Sequence, residues 1–221
     1  MIDSLARGRQ AQPRRTRRGE ARDALLRAHA SKLFLERGFD GVTIDDIVAD
    51  VGGSKANVYS FYGGKDGLFV AAMEGTVDDL LRPLTRVKLT GQSLEAGLSK
   101  FATALLRILL QPRHLALQRL VLAEASRHPQ LGLSWYRNGP CATRAILEAF
   151  LIEHQSRGHV SADADPARIA AMFHDMVTFD LLIRAMVAVD GGPKPSEIDM
   201  TIRHAVRSLL CGIEPHDSGL S

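Results

Sequence analysis

Ile44, Ile47, Val48 and Val51 fall at i, i+3, i+4 and i+7. This spacing lines one face of a helix with branched apolar side chains and leaves Asp45, Asp46, Ala49 and Asp50 outside. Thr43 is placed to cap that helix, and Asp46 sits three residues on, where a capping box needs it. The two acids also suit the positive end of the helix dipole. Gly52 and Gly53 follow where the helix must stop, and a glycine there can take the left-handed conformation of a tight turn. Ser54 then caps a second helix, in which Val58, Phe61 and Tyr62 cluster on one side. Ala56, Asn57, Tyr59 and Ser60 are left outward, a set without an acid, and Lys55 adds a cation in the first turn. Two such helices form either an ordinary helical hairpin or a DNA-reading helix-turn-helix.

The same period continues on both sides. Residues 20–37 read as a helix with Leu26, Ala30, Leu33 and Phe34 in one stripe, closed by Gly38. Residues 65–81 form a long amphipathic helix with Leu68, Phe69, Ala72, Met73, Val77, Leu80 and Leu81 on a broad face, ended by Pro83. Further helices are expected at 93–110, at 114–127, in a broken pair at 132–136 and 141–155 around Gly139-Pro140, and from Asp165-Pro166 to about 189. A last helix, capped by Ser196 with Asp199 in the capping-box position, is expected to run to 212. No strand-like alternation appears, so the expected fold class is all-α.

Length and charge add an orientation to this pattern. At 221 residues the chain can bury a core in one large or two modest domains. Lys and Arg number 12 against 9 acids in residues 1–66, and 16 against 16 in the remainder. The excess positive charge therefore lies in the N-terminal third. There Arg7, Arg9, Arg14, Arg15, Arg17 and Arg18 oppose only Asp3 over the first eighteen residues. Taken alone such an arm is a solubilising tail; directly before a helix-turn-helix it is placed to follow phosphates or enter a minor groove. Two cysteines, Cys141 and Cys211, far apart in sequence, fit neither a disulfide framework nor a metal cluster. No apolar run approaches a membrane span, and a cytoplasmic protein is expected. Histidines of paired metal-ligand spacing, a phosphate-binding glycine loop and a nucleophile elbow are all missing from the sequence. Catalytic residues, metal ligands and cofactors are accordingly not expected.

The run LFLERGFDGVTIDDIVADVGGSKANVYSFYGGKDGLF, residues 33–69, resembles the N-terminal domain of the TetR family of bacterial transcriptional regulators. The resemblance is carried by Leu33, Phe34, Gly38 and Phe39, by Thr43 and Ile47, by Gly52 and Ser54, and by Tyr59, Tyr62 and Lys65. It implies that Thr43, Ser54, Tyr59 and Lys65 touch the phosphate backbone, while Lys55, Ala56, Asn57 and Ser60 face bases. Lys65 also opens a helix, where a cation is unfavourable unless an anion is near. Two positions depart from the family pattern: Gly53 stands where a small apolar residue such as Val is usual, and His29 where Ala is usual.

The resemblance divides the chain into a basic arm at 1–19, a three-helix DNA-binding domain at 20–66, a helical effector-binding and dimerisation domain at 67–214, and a tail at 215–221. The stretch RHPQLGLSWYRNGPCATRAILEAFLIEHQSRG looks like the regulatory half of multidrug-type members. That likeness implies a homodimer seam built from the last two long helices, for which Ile169, Phe173, Met176, Val177, Ile202, Val206 and Leu209 are spaced. The same stripes would serve an internal core. A ligand cavity is expected among the middle helices, with Phe101, Leu105, Leu120, Glu124, Trp135, Tyr136 and Met172 as candidates, although each alone also fits core packing. Glu124, between apolar neighbours, needs solvent or a partner. The expected function is a homodimeric repressor that binds a palindromic double-stranded DNA operator and is released by a small-molecule effector. The rivals are a non-specific DNA-coating protein and a helical small-molecule-binding protein.

Overall fold

The computed structural model describes residues 17–188 and 191–213, and among these it contains helices and no strand. The expected arm lies outside the described residues as far as position 16. The side chains of Arg17 and Arg18 and the tail at 215–221 lie outside them as well. The first helix, α1 (Arg17–Arg37), starts three residues ahead of the expected position and carries Glu20 in its first turn, where the helix dipole favours an acid.

Side-chain caps set the next two helices. Before α2 (Ile44–Val51), Thr43 Oγ1 accepts from the Asp46 N–H at 3.2 Å, and the Thr43 N–H donates to Asp46 Oδ2 at 2.8 Å, closing a reciprocal capping box. Gly52 ends α2 with φ of 63°, a left-handed conformation that glycine takes without a Cβ penalty. Ser54 caps α3 (Lys55–Tyr62), its Oγ accepting from the Asn57 N–H at 3.3 Å. The helix α4 (Lys65–Leu81) follows directly.

The chain divides into two compact units between Ala72 and Met73, inside α4 and six residues past the expected boundary. An aromatic cluster explains why the first unit reaches that far. Phe69 of α4 lies 4.9 Å from the ring centroids of both Phe34 and Phe39, edge-on to the first and tilted to the second. Leu68 and Phe69 are fully buried, together with Phe34, Ile47 and Val58.

In the second unit a 3₁₀ turn at Leu84–Arg86 precedes α5 (Leu94–Leu109), which is capped by Ser93 and buries Leu94, Leu98, Phe101, Leu105, Ile108 and Leu109. Gly97 lets α5 meet a ring of a later helix: a Cβ there would lie 2.1 Å from Phe150 Cζ. Next come α6 (Pro112–Glu124), α7 (Pro129–Tyr136), α8 (Ala142–Ser156), α9 (Pro166–Met186) and α10 (Pro195–Ile213). Proline opens four of these helices, because its fixed φ suits the first turn and no N–H is lost there. The expected starts of α6 and α7, at 114 and 132, accordingly move back to Pro112 and Pro129. The start of α10 moves as well: Pro195 begins the helix, and Glu197 rather than Asp199 reaches back, accepting from the Lys194 N–H at 2.7 Å. Asp165 caps α9, accepting from the Ala167 and Arg168 N–H groups.

The expected break between α7 and α8 is a π-helical turn, Arg137–Cys141, whose closing bond runs from the Ala142 N–H to the Arg137 carbonyl. Pro140, inside it, has no N–H to continue an α ladder. In the packing of this unit, α8 and α10 both lie against α9, and α10 also lies against α5.

Candidate functional site

In the first unit, burial of Val58 and partial burial of Phe61 and Tyr62 fix which face of α3 is free. The Tyr62 hydroxyl donates to the Asp23 carboxylate of α1, tying α3 to that helix. Lys55, Ala56, Asn57, Tyr59 and Ser60 are all exposed, and no acid lies within α3. Lys55 is not a free cation, however. Its Nζ lies 2.8 Å from Asp45 Oδ1 of α2, and this hydrogen bond raises its pKa above the ordinary lysine value.

The backbone-contact set divides by how each side chain is engaged. The Ser54 oxygen accepts its capping bond, which leaves its hydroxyl hydrogen for an outside acceptor. Thr43 is a cap in both directions: its N–H and its hydroxyl each donate to Asp46 Oδ2, at 2.8 and 2.6 Å. These bonds hold the Asp46 carboxyl below the usual range. A phosphate contact by the Thr43 hydroxyl would therefore compete with Asp46 for its hydrogen. Lys65 Nζ sits 4.2 Å from the centroid of the Phe39 ring. A cation–π contact accordingly steadies this ammonium near the start of α4.

The two unusual positions have distinct surroundings. His29 Nε2 of α1 lies 3.2 Å from Asp50 Oδ2 of α2. Gly53 is not left-handed, and a Cβ on it would meet Val48 Cγ1 at 3.4 Å and Leu26 Cδ1 at 3.7 Å, ordinary contact distances. Gly53 borders a hollow of about 230 Å³, bounded in part by Leu26, Val51 and Phe61.

The second unit has a half-open cavity of about 340 Å³, with the exposed Tyr136, Phe179 and Ile183 among its lining. From the expected ligand set it receives Trp135 and Tyr136. The other candidates lie elsewhere. Phe101, Leu105 and Leu120 are buried without lining it, because their helix faces turn into neighbouring helices. Glu124 is buried and has partners, with Arg127 Nη1 at 3.4 Å and His128 Nε2 at 3.7 Å. Met172 is exposed and borders a separate hollow with Asp165, Arg168 and Leu209. Its lining is mostly apolar, and the polar side chains set into it are His114 and Gln118 from α6, Thr143 and Arg144 from α8, and His174, Asp175 and Thr178 from α9. A signal for two of these exists in α6, where His114 and Gln118 share a buried face with Leu117 and Val121 at helical spacing.

These groups form two linked sets. Arg144 donates from Nη2 to Asp175 Oδ1 at 2.7 Å and from Nη1 to the Tyr136 hydroxyl oxygen at 3.3 Å. His174 Nδ1 lies 3.0 Å from the same Asp175 oxygen. Burial raises Asp175, but the hydrogen bonds from His174 and Arg144 outweigh it and hold this carboxyl below its usual value. Burial lowers the pKa of His174, partly offset by Asp175. His114 is only 3% exposed, and burial alone lowers its pKa from 6.5 to about 4. Its Nε2 is 3.1 Å from Gln118 Nε2, while its Nδ1 has no partner among the described residues.

The expected dimer seam needs correction. Ile169, Phe173, Val177, Ile202, Val206 and Leu209 are all buried in the chain's own core, where α9 packs against α8 and α10. They have too little surface left to face a partner. Of the named set only Met176 is exposed, and it belongs to a second stripe on α9 with Met172, Phe179 and Ile183.

A helix-turn-helix in one unit, followed by a second, all-helical unit, defines the class of DNA-binding regulators. Residues 96–212 match the model of the C-terminal domain of AefR-like transcriptional repressors, and residues 26–72 match that of bacterial regulatory proteins of the tetR family. The chain belongs to the TetR family of bacterial transcriptional regulators. It is a transcriptional regulator with a helix-turn-helix DNA-binding domain and not an enzyme. An uncharacterized HTH-type transcriptional regulator of Mycobacterium bovis is 28% identical over 167 residues, covering 75% of this chain and 77% of that protein. Among solved structures, one of a protein from Mesorhizobium loti assigned to the TetR family is 26% identical. It superposes with a TM-score of 0.80 and covers 91% of this chain and 100% of its own. The Flavonoid-responsive Regulator FrrA is also 26% identical, with a TM-score of 0.76 over 89% of this chain and 99% of its own. Among the described residues no helix is long and apolar enough to cross a membrane.

Proposed function

We propose that the chain is a homodimeric repressor that holds a palindromic operator through α3 of each subunit and lets go when a small molecule enters the cavity of the second unit. The observation that carries this reading is the exposed, acid-free face of α3, with Asn57, Tyr59 and Ser60 free to approach base edges and phosphates. In this reading Lys55, Ala56, Asn57 and Ser60 face the major groove, and Ser54, Tyr59 and Lys65 hold the backbone. Repression is supported by the description of the matched C-terminal model. An effector is supported by the cavity and by the name of the flavonoid-responsive neighbour. The homodimer is supported by the exposed α9 stripe of Met172, Met176, Phe179 and Ile183, which the subunit itself leaves uncovered. An effector that couples to DNA by about 1–3 kcal/mol would change operator affinity roughly 5–150-fold, enough for a switch.

Selection of bound sequences from random DNA tests the reading. The expected result is a palindrome whose affinity falls linearly with salt on logarithmic axes. Lys65→Ala should weaken binding to every sequence alike, and Asn57→Ala should change the preferred bases. Recovery of no consensus, or selected sites bound identically by both variants and the parent, would sink the proposal.

A further inference from the structure

The polar side chains that reach the cavity have mostly given up their hydrogens. Thr143 and Thr178, both buried, donate their hydroxyls to the carbonyls of Pro140 and His174 at 3.0 and 2.8 Å. Arg144 is turned onto Asp175 and Tyr136. The Asp175 carboxyl, held below its usual value, is ionised and can only accept, so His174 donates to it from Nδ1. Burial keeps the His174 ring neutral, which leaves its Nε2 as a bare acceptor. The Gln118 amide nitrogen faces His114 Nε2 at 3.1 Å, and its Oε1 is the end left over.

These two acceptors differ from the buried atoms that lack a partner. His114 Nδ1 and Arg144 Nε are closed off from open space, whereas His174 Nε2 and Gln118 Oε1 are not, although their residues are only 7% and 6% exposed. Both residues line the cavity, so that small exposure is to its interior. A guest that expels water from the cavity leaves these acceptors unpaired unless it brings a donor of its own. The donors of Trp135 and Tyr136 belong to a half-buried and an exposed side chain, where water can serve them.

The charge and shape of the cavity narrow the guest further. Arg144 and Asp175 neutralise each other at 2.7 Å, so an ion would lose hydration without meeting an opposite net charge. Trp135, Phe179, Leu182 and Ile183 offer ring faces and hydrocarbon to the rest of the guest. The volume of about 340 Å³ lies at the small end of the roughly 300–1,000 Å³ usual for such sites, which suits two or three fused rings.

We infer that this cavity takes a neutral, ring-built hydroxyl compound whose O–H donates to His174 Nε2, with Gln118 Oε1 open to a second donor. The inference rests on the reading of this cavity as the effector site.

Five compounds on one frame test it with the full chain: 2-hydroxyfluorene, fluorene, 2-methoxyfluorene, fluorene-2-carboxylate and fluoren-2-ylmethylammonium. Fluorene is smaller than the hydroxyl compound; 2-methoxyfluorene is larger and keeps the oxygen without its hydrogen. Equilibrium dialysis should give 2-hydroxyfluorene an affinity at least about 5-fold above both, the size expected of one buried neutral hydrogen bond. Each ion should bind more weakly than 2-hydroxyfluorene. In His174→Phe the advantage of the hydroxyl should collapse, and His174→Gln, whose amide oxygen can stand in for Nε2, should restore part of it. The ratios in the unmodified protein decide the ligand class even where a variant folds poorly. Equal binding of 2-hydroxyfluorene and either neutral control, preference for either ion, an advantage undiminished in His174→Phe, or binding of none of the five would overturn the inference. Release of a fluorescent selected operator, measured in parallel, separates the two readings. Tight 2-hydroxyfluorene binding that leaves the DNA complex intact would defeat the effector reading and spare the ligand class. Release driven best by 2-methoxyfluorene or by an ion would do the reverse.

Discussion

Acidification should destabilise this protein through His114, by an amount the structure sets. The ring is buried on α6, and its pKa is depressed from 6.5 to about 4. A histidine with a depressed folded-state pKa stays neutral in the folded protein while the unfolded chain takes up a proton as pH falls below 6.5. Its penalty is therefore nearly absent at pH 7, grows between 6.5 and 4, and is complete below 4. At about 1.36 kcal/mol per unit the ceiling is about 3 kcal/mol, and the share incurred at pH 5 is about 2 kcal/mol. Urea unfolding at fixed protein concentration, at pH 7 and pH 5, of the parent and of His114→Phe isolates this share. His154 and His174, whose values are also lowered by burial, contribute equally to both proteins and cancel. The parent should lose about 2 kcal/mol more than the variant between the two pH values. Parallel losses would refute the claim that burial keeps this ring uncharged.

Two further outcomes follow from distances. Gly97→Ala should destabilise the second unit by about 1–3 kcal/mol, because its Cβ would fall 2.1 Å from Phe150 Cζ; an unchanged melting temperature would contradict that close approach. Asp45→Asn should raise operator affinity a few-fold at low salt by releasing Lys55 and removing a like charge facing phosphate, and the gain should shrink as salt rises. A gain that persists at high salt, or none at all, would mean that the Lys55–Asp45 pair does not compete with DNA.

Local chemistry was legible in the chain. The Thr43 and Ser54 caps, the Gly52 turn and the outward set on α3 each depend on residues within four positions, and periodicity reports such relations directly. The starts of α6 and α7 were less legible, because a proline that can end one helix can also open the next, as Pro112 and Pro129 do. The seam was misread for a different reason. Apolar side chains surround α9, with Ile169, Phe173 and Val177 on one side and Met172, Met176 and Phe179 on another. A period identifies both stripes without saying which neighbour covers which. The cavity was the least legible feature, since its polar groups come from α6, α8 and α9 and meet only through packing of segments that lie as far apart as His114 and Thr178. Gly53 stood out against the family pattern, and its surroundings show a methyl-sized vacancy rather than a strained turn.

The π-helical turn between α7 and α8 has a consequence for how this wall of the cavity can vary. Tyr136 and Arg144 are eight positions apart, which in an unbroken α-helix would set them about 80° apart around the axis. The wide turn absorbs one residue, so the pair behaves like positions seven apart and nearly shares a face; the 3.3 Å contact between them depends on that. Counting, as much as chemistry, thus shapes this wall. Loss of one residue from 137–141 would preserve the facing pair while letting the helix run regular, whereas gain of one would swing Trp135 and Tyr136 away from Thr143 and Arg144. Relatives of different length through this turn should therefore have differently shaped cavity walls while keeping the same side chains.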